Sequence, residues 1–393
     1  MMPLKDILTS EQQALLLLCI PEPDKEKISF LEYLLGEITG WPQFINLLNQ
    51  HGIIALAHYN LNRYGLADRI PVKERELLYK SFLKSLANNT AVFSLFGEVA
   101  DSAVASGIKL VPLKGLYLEK CVYGDSGLRQ MNDLDILVAP EDAIRLRDLL
   151  IRKGFTTIPF ISPIHSFFLH SYGKHMPEMY RKGLSVEIHF RLFRDRHNEF
   201  TREMVRLSTE PFPGGNHVTF SPPLLHNFLY LVRHLLWHEK IGFSQARLYC
   251  DLAFLIHRHG SSLLNEELFT MARKLDMEDN LRNVLLLLAR YFSVQTDLKI
   301  EVPEKINSRF IHFLAKPKDS RADGGDSPFM EQIRNIDGVF HKILYATGMI
   351  FPSLTFMKWR YGARNRFFAI PYYFKRWYGF IKTFFISPRI KHK

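Results

Sequence analysis

No acidic residue follows Asp337. The last 56 residues, Gly338 to Lys393, hold six lysines and five arginines, so they carry the whole formal net charge of +11. The preceding 337 residues carry 40 basic and 40 acidic side chains and are neutral overall. A uniformly basic nucleic-acid coat is therefore excluded. Cysteine is scarce: Cys19, Cys121 and Cys250 are odd in number, far apart and in no metal-type spacing. That excludes a disulfide-stapled scaffold and fits a reducing compartment. No apolar run approaches the roughly 20 residues needed to span a bilayer. Met1 to Asp6 lacks the basic start of an export signal, and the apolar run Ala14 to Ile20 is too short for one. The expected location is the cytoplasm. Gly-x4-Gly-Lys-Ser/Thr and Gly-x-Ser-x-Gly are both missing, which excludes a P-loop and a nucleophile elbow.

What is present suits a folded protein: 47% of the 393 residues are apolar, and the length allows two or three domains with cores. Apolar residues recur at three and four through Phe30 to Ile38, Phe44 to Leu56 and Leu77 to Val99, predicting a helical N-terminal region, 1–105. The texture changes at Ile108. A short strand to Pro112, a helix Leu116 to Tyr123 and a strand Asp133 to Val138 are expected, then a helix opened by Pro140 and Glu141 and closed by Gly154. A third strand begins at Phe155. Glu178 to Phe190 reads as a hairpin turning at Arg181, Lys182 and Gly183. Pro222 and Pro223 then open a return to helix. The expected fold is α+β: a small mixed-sheet core, 106–215, between helical regions, then a helical domain, 216–315, a linker, 316–337, and a basic aromatic tail, 338–393.

Asp133 and Asp135 stand two apart on a predicted strand, so both side chains leave one face, with Cα atoms roughly 6.6 Å apart. Leu134, Ile136, Leu137 and Val138 mark that strand as buried, where carboxylates need a cation or a partner. Glu187, on the polar face of the hairpin strand with His189, can supply a third ligand. Three carboxylates of this kind suit hard divalent cations and two-metal phosphoryl transfer. Lys114-Gly115 lies between a strand and a helix, where a glycine admits a phosphate close to backbone amides and a lysine neutralises its charge.

These residues resemble the uncharacterised bacterial nucleotidyltransferases of the DNA polymerase beta-like superfamily. The resemblance is carried by Val111-Pro-Leu-Lys-Gly-Leu, by Tyr123 through Arg129 into Asn132-Asp-Leu-Asp-Ile-Leu-Val, and by Val186-Glu-Ile-His-Phe. It continues in Leu224-Leu-His-Asn-Phe with His234 and His238, in Arg247 to Leu255, and in Phe351-Pro-Ser with Arg360-Tyr. It implies that Asp133, Asp135 and Glu187 are the catalytic, metal-binding acids for Mg²⁺ or Mn²⁺, with an NTP such as ATP as substrate. Lys114, Gly115 and Arg129 would face the nucleotide, with a surface arginine as the alternative for Arg129. Leu116 stands where the wider superfamily has serine or a second glycine, which removes a hydroxyl or a joint from the phosphate loop.

The implied reaction moves an NMP to a hydroxyl and releases pyrophosphate. The acceptor stays open among a small molecule, a sugar, a protein and an RNA, as does the choice of NTP. The rival reading is a non-catalytic nucleotide-binding or scaffold protein of the same fold, held at a membrane surface or on nucleic acid by its tail. His234 and His238, four apart, have zinc spacing but no Cys or Asp at a completing offset. Arg247 and Asp251 read most simply as a helix-face ion pair, with a place on the substrate side of the cleft as the alternative. The tail mixes 16 aromatics with its 11 cations. That composition suits an anionic membrane surface at the inner face, nucleic acid, or aromatics packed on the helical region with the cations left in water.

Overall fold

The computed structural model describes residues 8–193, 198–242, 244–296, 298, 301–315, 333–334 and 336–381. The chain forms two compact units, each assembled from two stretches of sequence. The first joins Met1–Val138 to Arg202–Gly325, and the second joins Ala139–Thr201 to Asp326–Lys393. Most of the expected linker, 316–337, lies outside the described residues.

The first unit opens with α1 (Ser10–Leu18), α2 (Lys25–Glu37), α3 (Trp41–Gln50), α4 (Ile54–Arg63) and α5 (Val72–Val104). Thr9 and Gln12 form a capping box on α1, and Asp24 accepts from the Lys27 amide at 2.9 Å to start α2. The helical period read over Phe44 to Leu56 is divided between two helices. It breaks between α3 and α4, where Gly52 takes φ +69° and the chain turns. The break is set by His51, a fully buried ring whose Nδ1 accepts from the Ala246 amide at 3.1 Å, leaving Nε2 to donate to the Leu314 carbonyl at 3.1 Å. Burial drives its pKa down to about 4. A neutral imidazole thus ties three distant segments together.

α5 runs 33 residues, about 50 Å at helical rise. Its C-terminal half buries Val92, Leu95, Phe96, Val99 and Ala103 at helical spacing, and its first half leaves Leu77 and Leu83 exposed. Then follow β1 (Val111–Pro112), α6 (Lys114–Leu118), a wide π-type turn over Glu119–Tyr123 that ends at Gly124, and β2 (Asp133–Leu137). β1 and β2 are antiparallel, with Val111 opposite Leu137 and Pro112 opposite Ile136. The expected strand from Ile108 is shorter because Leu110 is taken up elsewhere: it bridges in parallel to Thr219, donating to Val218 O and accepting from Phe220 N.

In the second unit, α7 (Ala143–Arg152) ends at Gly154, φ +88°, as the sequence predicts. β3 (Thr156–Thr157), α8 (Pro163–Tyr172), β4 (Met179–Arg181) and β5 (Leu184–His189) follow. β4 pairs with both β3 and β5, antiparallel in each case. The hairpin turns on Lys182 and Gly183, both at positive φ, the two-residue geometry that matches strand twist. α9 (Asn198–Leu207) carries the chain back to the first unit. There α10 (Leu224–Lys240), α11 (Ala246–His259), α12 (Glu266–Lys274), α13 (Glu278–Phe292) and α14 (Glu304–Ala315) complete its core.

The C-terminal segment belongs to the second unit as α15 (Val339–Ile350), α16 (Leu354–Tyr361) and α17 (Tyr372–Ile381). α15 packs on α8: Phe168, Ile336 and Tyr345 form one buried cluster, and at Gly348 a Cβ would meet Ser162 Oγ at 2.8 Å, so only glycine permits the approach. Phe356, Met357, Ala363 and Ala369 form a second cluster with Ile161, Tyr372 and Tyr373. Part of the aromatic content of the tail is therefore core, packed on residues 161–172. The protein is α+β, dominated by helices, with five short strands among the described residues.

Candidate active site

The register of β1 and β2 runs Leu113 alongside Asp135, and the Leu113 amide donates to the Asp135 carbonyl at 3.0 Å. The next residue, Lys114, has φ +46°, a left-handed backbone that costs a non-glycine residue free energy. Its side chain is 13% exposed, and Nζ reaches Oδ1 of Asp135, itself 2% exposed, at 2.7 Å. Asp133 leaves the same face of β2 and is half-buried, while Leu134 and Ile136 fill the core behind. Sequence reasoning thus placed Asp133, Asp135 and Lys114 in one locality, and the structure brings Lys114 and Asp135 into contact.

Gly115 has a close neighbour that its motif does not reveal. A Cβ there would meet Arg129 Nη1 at 2.5 Å and Met131 Cγ at 2.7 Å. The missing side chain makes room for a guanidinium. Arg129 is buried and pairs with Asp251 on α11, Nη2 to Oδ2 at 2.9 Å and Nε to Oδ1 at 3.3 Å. Burial opposes its charge and Asp251 outweighs burial, so the guanidinium holds its proton more firmly than usual. Arg129 is accordingly a paired interior cation and not a surface one. Asp251 also accepts from the Tyr123 hydroxyl at 3.0 Å, and burial followed by the Asp251 charge raises that phenol's pKa well above normal.

Around this pair the loop from Gly124 to Asn132 is strapped down. Asn88 and Asn89 on α5 donate to the carbonyls of Met131 and Arg129 at 2.7 and 3.0 Å. Glu119 accepts from the amides of Gly127 and Arg129 and from Asn89. Burial raises the Glu119 pKa against those hydrogen bonds. Arg247 does not pair with Asp251 as expected; it donates to the Gln130 carbonyl and to Gln245 at 2.9 Å. Burial, then the charge of Arg129, lowers its pKa to about 10. Asp133 acts electrostatically on both guanidiniums, so its carboxylate faces a cationic surround. Asn89, Glu119 and Tyr123 were not anticipated as parts of the site. The available signal was a pair of asparagines in the middle of an apolar helix.

Glu187 lies on β5 in the second unit. Its Oε2 is 3.3 Å from Nε2 of buried His189, the neighbour predicted from strand alternation. The His175 ring stands 5.4 Å from that of His189, and burial, then His189, lowers the His175 pKa. On α10 the rings of His234 and His238 are 4.4 Å apart. Among the described residues no third His, Cys, Asp or Glu joins them as a ligand.

The donors on β2 are carboxylate oxygens, one of them buried against a cation. Carboxylate oxygens are the donors that hard divalent cations take, and Lys114 supplies the counter-charge of the buried Asp135. No curated protein matches the chain. Residues 38–293, more than half of the sequence and the stretch holding Lys114, Asp133, Asp135 and Glu187, match a family described as uncharacterised nucleotidyltransferase, and the chain belongs to it.

Proposed function

We propose that the protein transfers a nucleoside monophosphate from an NTP, ATP among them, to a hydroxyl acceptor and releases pyrophosphate. The observation that carries this reading is the buried Asp135 carboxylate beside Asp133 at the start of β2, with the Lys114 ammonium against it. Asp133 and Asp135 would hold Mg²⁺ or Mn²⁺, and Glu187 would supply the third acid. The bound ions would neutralise charge on the triphosphate and acidify the acceptor hydroxyl. Lys114 orients a phosphate oxygen by its ammonium. Arg129, fixed by Asp251, keeps the approach to Asp133 positive. The acceptor oxygen bonds to the α-phosphorus as the bond to the bridging oxygen of pyrophosphate breaks, and the hydroxyl proton passes to a carboxylate. The reaction belongs in the cytoplasm, where NTPs are made.

The family match and the carboxylate pair on β2 support catalysis over a scaffold role. The test is incubation of the protein with α-labelled NTPs, Mg²⁺ and cell extract. Label should appear in one fraction with the wild type and not with Asp133→Ala plus Asp135→Ala. If no fraction is labelled while an NTP with Mg²⁺ still raises the melting temperature, the protein is a nucleotide-binding scaffold.

A further inference from the structure

Among the described residues no helix is long and apolar enough to cross a membrane. Yet the C-terminal helices of the second unit leave much apolar surface in water. α15 lays Tyr345 and Gly348 on α8 and turns Val339, Ile343 and Ile350 outward at helical spacing, with Phe340 beside them. Val339 and Phe340 are more than 70% exposed. At the end of α15 the rings of Phe351 and Phe374 flank Trp377 at 5.6 and 5.5 Å. A third apolar set, Phe367, Phe368 and Ile370, stands in the turn between α16 and α17, with Phe367 81% exposed.

The segment is folded in this form. Trp377 Nε1 and Arg376 Nη2 donate to the carbonyls of Ile350 and Met349, each at 3.0 Å, and Tyr373 bonds to the Pro352 carbonyl. These bonds tie α17 to the carbonyl end of α15. Exposed cations stand among the rings: Lys358, Arg364, Arg366 and Lys375. No acidic side chain accompanies them after Asp337.

We infer that this C-terminal helical segment, through its exposed apolar side chains and the cations among them, docks on an anionic phospholipid bilayer. Three occupants compete, and charge and side-chain type separate them. A second copy of the same segment would set like charge against like, which disfavours a symmetric contact. A nucleic acid satisfies the cations and the rings, but gives Val339, Ile343, Ile350, Leu354 and Ile370 nothing apolar to cover them. An anionic bilayer meets all three components: aliphatic side chains and phenylalanines enter the acyl boundary, Trp and Tyr sit at headgroup level, and lysines and arginines face lipid phosphates. The helices would lie in the interface plane. This inference does not depend on the transfer reaction.

The test uses the full-length protein with phosphatidylcholine vesicles, with or without phosphatidylglycerol, measured by co-sedimentation. The expected result is at least about tenfold stronger partition onto the anionic vesicles, since each interfacial cation contributes about fivefold. Raising the salt should weaken it. Phe367→Ser with Phe368→Ser should lower partition about tenfold, and Arg364→Glu with Arg366→Glu should abolish the preference for anionic lipid. Both pairs are exposed, and unchanged melting temperatures confirm intact folds. Equal binding to neutral and anionic vesicles overturns the inference, as does wild-type binding by both variants. Retention on a single-stranded oligonucleotide, lost in the arginine variant and unaccompanied by vesicle binding, overturns it in favour of nucleic acid.

Discussion

Arg129 and Asp251, 122 residues apart in sequence, share two hydrogen bonds in the interior of the first unit. The ion pair fixes the last turn of the loop that delivers the chain into β2, and so fixes where Asp133 begins. Asp251→Ala would leave the guanidinium buried without its carboxylate, at a cost of about 3–5 kcal/mol. Replacing both partners by Met and Leu should cost much less than the two single changes summed. Urea denaturation of the two singles and the double measures the coupling, and additive effects would show that the pair does not act as a unit.

Lys114 and Asp135 make a second buried pair, this one on the face that the reaction would use. Lys114→Met should destabilise the protein by about 3 kcal/mol in the absence of divalent ions, because Asp135 loses a counter-charge. Millimolar Mg²⁺ should raise the melting temperature of this variant more than that of the wild type. An equal response in both would remove Asp135 from the metal-binding set.

Gly115→Ala tests the space that Arg129 occupies. The new methyl would stand 2.5 Å from Nη1 and 2.7 Å from Met131 Cγ, so the loop must shift. Overpacking of this kind costs about 1–3 kcal/mol. Labelled-nucleotide transfer should fall with stability, and transfer at the wild-type rate would separate the loop position from catalysis.

His51 predicts a pH dependence. Its pKa falls to about 4 on folding, so the unfolded chain binds a proton that the folded protein excludes. Its contribution is complete above about pH 6.5, the unfolded value, and is lost as pH falls toward 4. The difference is about 3 kcal/mol. Unfolding free energies measured between pH 7 and pH 4 should show this slope, and His51→Gln should flatten it; an unchanged slope would place the titration elsewhere.

Local chemistry was legible in the sequence. The Lys182-Gly183 turn, the Gly154 helix end and the two aspartates on one strand face each depend on neighbours a few residues away. The break at Gly52 was not legible, because the ring that holds it reaches Ala246 and Leu314. Arg247 and Asp251 matched an intrahelical spacing, but a buried arginine from another segment took the carboxylate. Gly115 fits a phosphate motif, and the guanidinium beside it comes from Arg129, 14 residues on, with no sign of it in the local pattern. At Gly52 and at Asp251 a long-range partner overrode a local pattern.

Each unit contains two stretches of chain separated by more than 60 residues. During synthesis the first unit cannot close until Arg202–Gly325 has emerged. The second waits longer still, since Phe168 finds Tyr345 only when the final helices are made. Removing the segment from Gly338 onward would therefore strip a core from its own unit as well as deleting charge. The segment from Ile336 onward supplies a folding partner for α8, and changes confined to exposed side chains are the ones that separate attachment from assembly.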